Sequence, residues 1–423
     1  MILGQLPVDS VAFGGQFRSL PGQLPGHLAS RLGHQMRVAA DLFDLLDDKA
    51  FDLAGGDRPA GTSSPAAQAV LLDSLLEGRN RQLPAIDVRQ GTLFVRNVAT
   101  PGYGAAIRNA GKTAVTGLSV DEFVNGPILS LRQDQPKRSL NLPIEETPQF
   151  AWETDFSKWA NVDAYGAKGD GHTDDSAAVQ AAMNSGKPVV YFPKAVYRLS
   201  TPVKIPASVV RVMAFYGSVN GPLLVAEDSP QPLLIEDLGT SSRTDIRHQA
   251  FRPLVLSHVR CSYFNQTNRP GVKVFINNGN GMGKNERAFI NGRFWVRFMN
   301  TEWKQGPNFT CNRSDMWVFG YKVEGPMTNF QVIGGGRLEI LGGVCNEHGS
   351  NFSPEIPILR NVESSLCFVG CTNGPNKFET IVEETIGGVT KRLMRTDCPP
   401  RPAPDNYASW KDIIVPLYIS EAQ

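Results

Sequence analysis

Between residues 270 and 345, short runs of alternating apolar and polar positions recur at a constant step. "VKVFI" at 272, "FWVRF" at 294, "MWVFG" at 316 and "LEILG" at 338 each follow the last by 22 residues. In each five, the first, third and fifth positions are apolar or Gly: Val272/Phe294/Met316/Leu338, Val274/Val296/Val318/Ile340 and Ile276/Phe298/Gly320/Gly342. Strand alternation sends these to one face and the second and fourth positions to the other. One short strand per repeat of about 20–25 residues predicts a β-solenoid, because no coil buries its inner face until the next stacks on it. After Glu347 the period breaks, and "SLCFV" resumes only at Ser365, which predicts a loop inserted into one coil.

The texture elsewhere differs. Over 28–46, Leu28, Leu32, Met36, Ala39, Phe43 and Leu46 share one helical face, predicting an amphipathic helix. From about 70, "VLLDSLLEG", "PAIDVRQG" and "TLFVRNVAT" read as short strands, with Leu71 and Leu93 one 22-residue step apart. Residues 131–150 are Pro-rich, polar and without period, as expected of a linker or an extended crossing segment. "NVDAYGAKGDGHTDDSAAVQAAM" (Asn161–Met183) follows, then "KPVVYFPKAVYRLSTPVKIP", read as strand, turn, strand. The predicted organisation is 1–130 (helix and partial β-helix coils), 131–158 (crossing segment), 159–398 (main β-helix) and 399–423 (tail with one strand).

The polar knot at 169–175 has two readings. Gly169-Asp170-Gly171 suits a tight turn, with Thr173 or Asp174 as N-cap of a helix over 175–184 and Gly186 closing it. Alternatively Asp170, Asp174, Asp175 and His172 form a Ca²⁺ or Mg²⁺ site, although hard cations want six or more oxygens and no further acidic cluster lies near. The structural reading is favoured, and no metal or other cofactor is expected.

Charge and composition narrow the classes. Lys and Arg (42) nearly balance Asp and Glu (41) for a net +1, so nothing points to nucleic acid or an anionic membrane as partner. No apolar run reaches bilayer-spanning length. The start lacks a secretory signal, implying an intracellular protein or a processed portion of a longer one. The six cysteines include no CxxC pair, and buried free thiols are favoured over disulfides, although Cys345 and Cys367 stand 22 residues apart.

The stretch from Asn161, with "VVYFPKAVYRLSTPVKIP" after it, closely resembles the opening of the pectate lyase superfamily type-3 domain, also described as rhamnogalacturonase/epimerase-like. Its usual form is V-x-x-YGAKGDG-x-TDD-[ST]-x-A-x-Q followed by VYFP-x-G-x-Y; Ala195 stands at the Gly position, which bears only on the turn type. The resemblance implies an all-β protein with a right-handed parallel β-helix of pectin-lyase-like form, the signature segment and its short helix capping the coils. It also implies an extracellular or cell-surface setting and polysaccharide as partner. Some relatives carry two β-helices in tandem, and residues 70–125 look like the final coils of an incomplete first one.

Two groups carry candidate chemistry. The outward second positions read Lys273, Trp295, Trp317, Glu339 and the fourth Phe275, Arg297, Phe319, Leu341. Trp295 and Trp317 are candidate substrate-binding residues, as stacked rings accept sugar C–H faces; coverage by another part of the chain is the favoured alternative. Glu302 and Glu324, also 22 apart, are the candidate catalytic pair. Stacked about one rung, or 5 Å, apart they approach the carboxylate separation of retaining glycosidases. The alternative is that either pairs with Lys304, Lys322 or Arg337 or simply sits in solvent. The Asn-Thr-Asp, Gly-His-Gly and Arg-Ile-Lys motifs of polygalacturonases are absent, as is the array of calcium-binding aspartates with a nearby base that lyase chemistry requires. The sequence therefore leads to a β-helix that binds polysaccharide and is a candidate glycoside hydrolase, with a non-catalytic structural or carbohydrate-binding scaffold as the alternative.

Overall fold

The computed structural model describes residues 10–14, 51–53, 68–89, 91–132, 137–215, 217–239, 244–282, 288–302, 306–347, 352–375, 377–401 and 412–422. The amphipathic helix expected over 28–46 lies outside these residues.

The repeat region folds as the alternation dictates. Parallel strands from Trp159–Asn161 to Ser365–Asn373 stack rung upon rung in a 13-stranded sheet, and two six-stranded sheets form the other walls of the coils. Val274, Ile276, Phe294, Val296, Met316, Val318, Leu338 and Ile340 all point inward and are buried. Phe289, Phe309 and Phe330 stack on consecutive rungs of the opposite wall, their ring centroids 5.9 and 4.9 Å apart. The protein is a parallel β-helix.

Register departs from the sequence reading at one step of the repeat. Phe294 pairs with Met316, Met316 with Leu338 and Leu338 with Leu366, so two equal steps are followed by the longer one, as predicted. Val274, not Val272, pairs with Phe294, so the preceding step is shorter by two. A shift of two preserves the inward and outward faces, so alternation alone is blind to it. The N-terminal step is longer by two instead: Leu71 pairs with Val95, and Leu93 with Ala69. The fifth position of the repeat is not an inward position but the bend. Asn278, Phe298, Gly320 and Gly342 occupy equivalent places with φ of 59°, 103°, 83° and 79°, continued backward by His258 and Asp237 at 53° and 52°. This corner needs the left-handed region, which Gly, Asn, Asp and His enter most readily.

The polar knot builds the N-terminal end. Asp175, buried, accepts the N–H groups of Lys168 and Gly169 at 2.6 and 3.1 Å. Asp174 accepts from Ser176 and Ser200, and these bonds, the Ser176 hydroxyl foremost, hold its carboxyl well below the usual range. Asp170 accepts the N–H groups of Thr173 and His172 and is lowered to about 2, chiefly by those two bonds. The carboxylates are thus engaged by backbone and hydroxyl donors, as the structural reading expects. The helix Ser176–Met183 follows, with Asp175 at the N-cap position rather than Thr173 or Asp174. It lays Val179, Ala182 and Met183 over the open end of the core beside Val162, Val203 and Ile205.

The other edges are closed by antiparallel strands. Ile414–Ser420 runs antiparallel to Ser365–Asn373, and Val389–Met394 antiparallel to Thr380–Ile386. These blunt edges that would otherwise template another chain. The N-terminal part is a smaller stack of the same kind. Ser10–Gly14, Gln68–Leu75 and Thr92–Ala99 pair in parallel and are closed by antiparallel Ser119–Val124. All six cysteines are buried thiols; Cys345 lies opposite Thr372 and Cys367 opposite Glu339.

From Ser139 to Asp155 the chain has no regular secondary structure. It runs back along the outer face of the main sheet, from the last coils to the first. Asn141 N–H donates to Glu339, the Pro143 carbonyl accepts from Trp295 Nε1, Lys273 reaches Glu145, and Thr147 Oγ1 lies 3.2 Å from Asn277 Oδ1. This strap lies within residues 131–158, read from the sequence as a linker or an extended crossing segment. Its backbone finds partners on side chains because no neighbouring strand supplies them.

Candidate functional site

The bend at Phe298 turns the later part of each rung onto a second, outward-facing strip. There Glu302, Glu324, Asn346 and Asn373 stand in register, one per rung. The stacking expected of Glu302 and Glu324 from their spacing is present, at the rung repeat of about 4.8 Å. Asn346 Nδ2 donates to Glu324 Oε1 at 3.0 Å, and Asn373 Nδ2 to Asn346 Oδ1 at 3.4 Å.

Lys322 changes the chemistry of the pair. Two residues before Glu324, it lies on the same face of the strand. Its ammonium contacts Glu302 Oε1 and sits 2.6 Å from Glu324 Oε1. Burial pulls the ammonium down, but hydrogen bonds to Glu302 and Glu324 more than offset this and leave it raised. A single cation bridging two carboxylates cancels the like-charge repulsion by which an acid–base pair separates its protonation states. Lys322 is among the pairing partners the sequence allows, and the Lys-x-Glu spacing is the signal for it. Glu347, next after Asn346, does not extend the row. It turns inward, is buried against Arg395 and accepts the Phe378 N–H at 2.9 Å, and burial raises it to about 7.

Trp295 and Trp317 require a correction. Both face outward from the main sheet, yet each is only 3% exposed. The strap covers them: Leu140, Ile144 and Phe150 pack on the cluster that holds both rings, and Val70, Leu72 and Phe94 of the N-terminal stack complete it. Trp295 stacks on Phe275 at 4.9 Å, and Trp317 lies parallel to Phe319 at 5.5 Å. A sugar cannot reach either ring, so they are not a substrate platform. Periodicity identifies outward faces but does not say which of them another segment covers. Glu339, in the same outward row, is buried for the same reason and pairs with Arg96.

With this geometry in place, likeness to known proteins becomes informative. Residues 159–224, the first coils with their capping helix, match the family described as rhamnogalacturonase A/epimerase, pectate lyase-like. The likeness to that family is confined to this segment, and the fold that contains it is the parallel β-helix described above. The matched segment ends well before Glu302 and Glu324, so it bears on the fold and not on those residues. Two solved structures are similar to the chain. PfbA, a surface adhesin of Streptococcus pneumoniae, is 11% identical over 55% of this chain and 99% of the adhesin chain, with a TM-score of 0.26. ORF18 of Geobacillus virus E2 is 16% identical over 52% of this chain and 48% of the viral one, with a TM-score of 0.23. Likeness at this level says nothing about activity or ligand. No curated protein matches the chain. Among the described residues no helix is long and apolar enough to cross a membrane.

Proposed function

We propose that the protein binds a polysaccharide at the cell surface or outside the cell, along the strip formed by Glu302, Glu324, Lys322, Asn346 and Asn373. The observation that supports this is the in-register row itself, one polar side chain per rung on a partly exposed face. Its repeat of about 4.8 Å is comparable with the length of one sugar ring. A glycan lying along the solenoid axis would meet a carboxylate or amide partner at each ring. The bridging ammonium of Lys322 favours a binding role over hydrolysis, because it engages both carboxylates that hydrolysis would need available to the substrate. Hydrolysis is the second reading, supported by the stacking of the two carboxylates.

Calorimetry and reducing-sugar release with oligosaccharides of β-1,3-glucan, β-1,4-glucan and polygalacturonate test both readings. The expected result is binding of at least one probe, weakened about tenfold, or roughly 1.4 kcal/mol, by Glu324→Gln and by Asn346→Ala, with no new reducing ends. Release by the wild type that disappears in Glu324→Gln would establish hydrolysis instead. Binding unchanged in both variants would remove the strip from consideration.

A further inference from the structure

The strap that seals the outer face over the middle coils leaves it partly open near the first ones. Beneath its end, residues 149–153 and the turns entering the early strands enclose an open cleft of about 310 Å³. That is the lower end of the range for small-molecule sites, about 300–1,000 Å³. Its lining includes Gln149, Trp152, Glu153, Arg211 and Gln231.

Arg211 is the unusual member. It stands in the outward row between Val189 and Leu234 and is only 5% exposed. Its guanidinium lies 4.7 Å over the Trp152 ring, and Nε approaches Glu236 Oε1 at 3.4 Å. Nη1 is buried with no hydrogen-bond partner among the described residues. Buried guanidinium donors are ordinarily satisfied, so an unmet one beside an open cleft marks a place for an acceptor.

The surrounding surface is aromatic. Of the four tryptophans among the described residues, Trp152 alone is exposed, at 39%, with Phe156 at 73% and Phe215 at 61% nearby. Ring contacts run continuously from Trp152 to Trp159, Tyr191 and Phe215, with centroids 5.4, 6.0 and 5.5 Å apart. Elsewhere the same face hides its aromatics under the strap. An aromatic patch left uncovered just where the covering ends, and edged by planar polar side chains, has the composition of a sugar site. The rings take pyranose C–H faces, while a guanidinium and two glutamine amides address hydroxyls in pairs. The Arg211 charge already stacked on Trp152 disfavours a cationic ligand.

We infer that this cleft is a second glycan-binding site, seating one or two sugar rings against Trp152 with their hydroxyls on Arg211, Gln149 and Gln231. It takes its ligand class from the reading of the solenoid strip but is separate from the strip in residues and position. The test uses the full chain carrying Glu324→Gln with Asn346→Ala, so that strip binding is already weakened. Hexasaccharides of β-1,3-glucan, β-1,4-glucan and polygalacturonate are titrated by calorimetry, and iodide quenching of tryptophan emission is followed with each. The expected result is residual binding of at least one hexasaccharide that shields a tryptophan from iodide and falls at least tenfold on adding Trp152→Ala, and severalfold on adding exposed Gln231→Ala. Circular dichroism confirms folding, and Gln231→Ala keeps the test decisive if Trp152→Ala disturbs the strap. Residual binding indifferent to both changes would overturn the cleft. Complete loss of binding in the strip variant would also overturn it, while leaving the strip reading intact. No binding by the wild type would overturn both.

Discussion

Arg96 and Glu339 lie 243 residues apart in sequence, yet Arg96 Nη1 donates to both carboxylate oxygens of Glu339 at 3.0 Å. Both side chains are buried, Ser139 Oγ accepts from the same Arg96 nitrogen at 2.8 Å, and Asn141 N–H donates to Glu339 at 2.9 Å. The N-terminal stack, the strap and the main solenoid thus meet at one buried ion pair. Removing one partner leaves an uncompensated charge, whereas replacing both with apolar groups removes the desolvation cost as well. Glu339→Ala is expected to lose about 3–5 kcal/mol in urea unfolding. Arg96→Met with Glu339→Leu should recover most of that. A double variant as unstable as the single one would show that packing, not charge, dominates here.

Lys322→Met should leave Glu302 and Glu324 facing each other without their shared cation. The groups are partly solvated, so the expected loss at pH 7 is below about 1 kcal/mol. It should shrink in about 1 M salt, where screening weakens the repulsion between the two carboxylates. A loss that persists at high salt would mean that the lysine acts through its aliphatic stem.

His248 is buried in the solenoid interior, with Nδ1 3.1 Å from the Tyr263 hydroxyl, and burial lowers it to about 4. The folded state therefore holds the neutral ring while the unfolded chain takes up a proton near its ordinary value of about 6.5. Stability from this group is full above that value and is lost as pH falls toward 4, by about 3 kcal/mol over the window at about 1.4 kcal/mol per unit. Denaturation of wild type and His248→Phe from pH 7.5 to 4 should show a shallower acid decline in the variant. Parallel declines would exclude His248 as the source.

Phe298 holds φ of 103° at the corner where its neighbours on adjacent rungs are Asn278 and Gly320. A bulky residue there stores about 1–3 kcal/mol of backbone strain. Phe298→Gly should therefore stabilise the fold or leave it unchanged even though the ring's packing is given up, and Gly320→Ala should cost about 1 kcal/mol. A thermal midpoint several degrees lower in Phe298→Gly would show that the ring's packing outweighs the strain.

Spacing and structure agree unevenly, and the disagreements have physical causes. Val296, Val318 and Ile340 point inward as their alternation requires, because a strand in a stacked coil has only two faces and one must be apolar. The step before Phe294 differs by two from the one the repeat predicts, since nothing in a period-two pattern penalises that slip. Glu302 and Glu324 stack as expected because a constant step fixes what lies above what. Their joint capture by Lys322 depends on rotamers and on the width of the strip, which spacing does not encode.

The local and periodic part of this protein is legible from its residues. The glycines and aspartates of Lys168–Ser176 dictate a turn and a helix start largely through bonds a few residues long, joined by Ser200, and the repeat dictates a parallel β-helix. Which outward faces meet solvent is settled instead by packing between distant segments. Trp295 and Trp317 have the same pattern as an open sugar platform, but a non-periodic strap closes over them and leaves Trp152, itself outside any repeat, in the open. Coverage depends on contacts between segments more than a hundred residues apart, and no local pattern of apolar and polar positions carries that information.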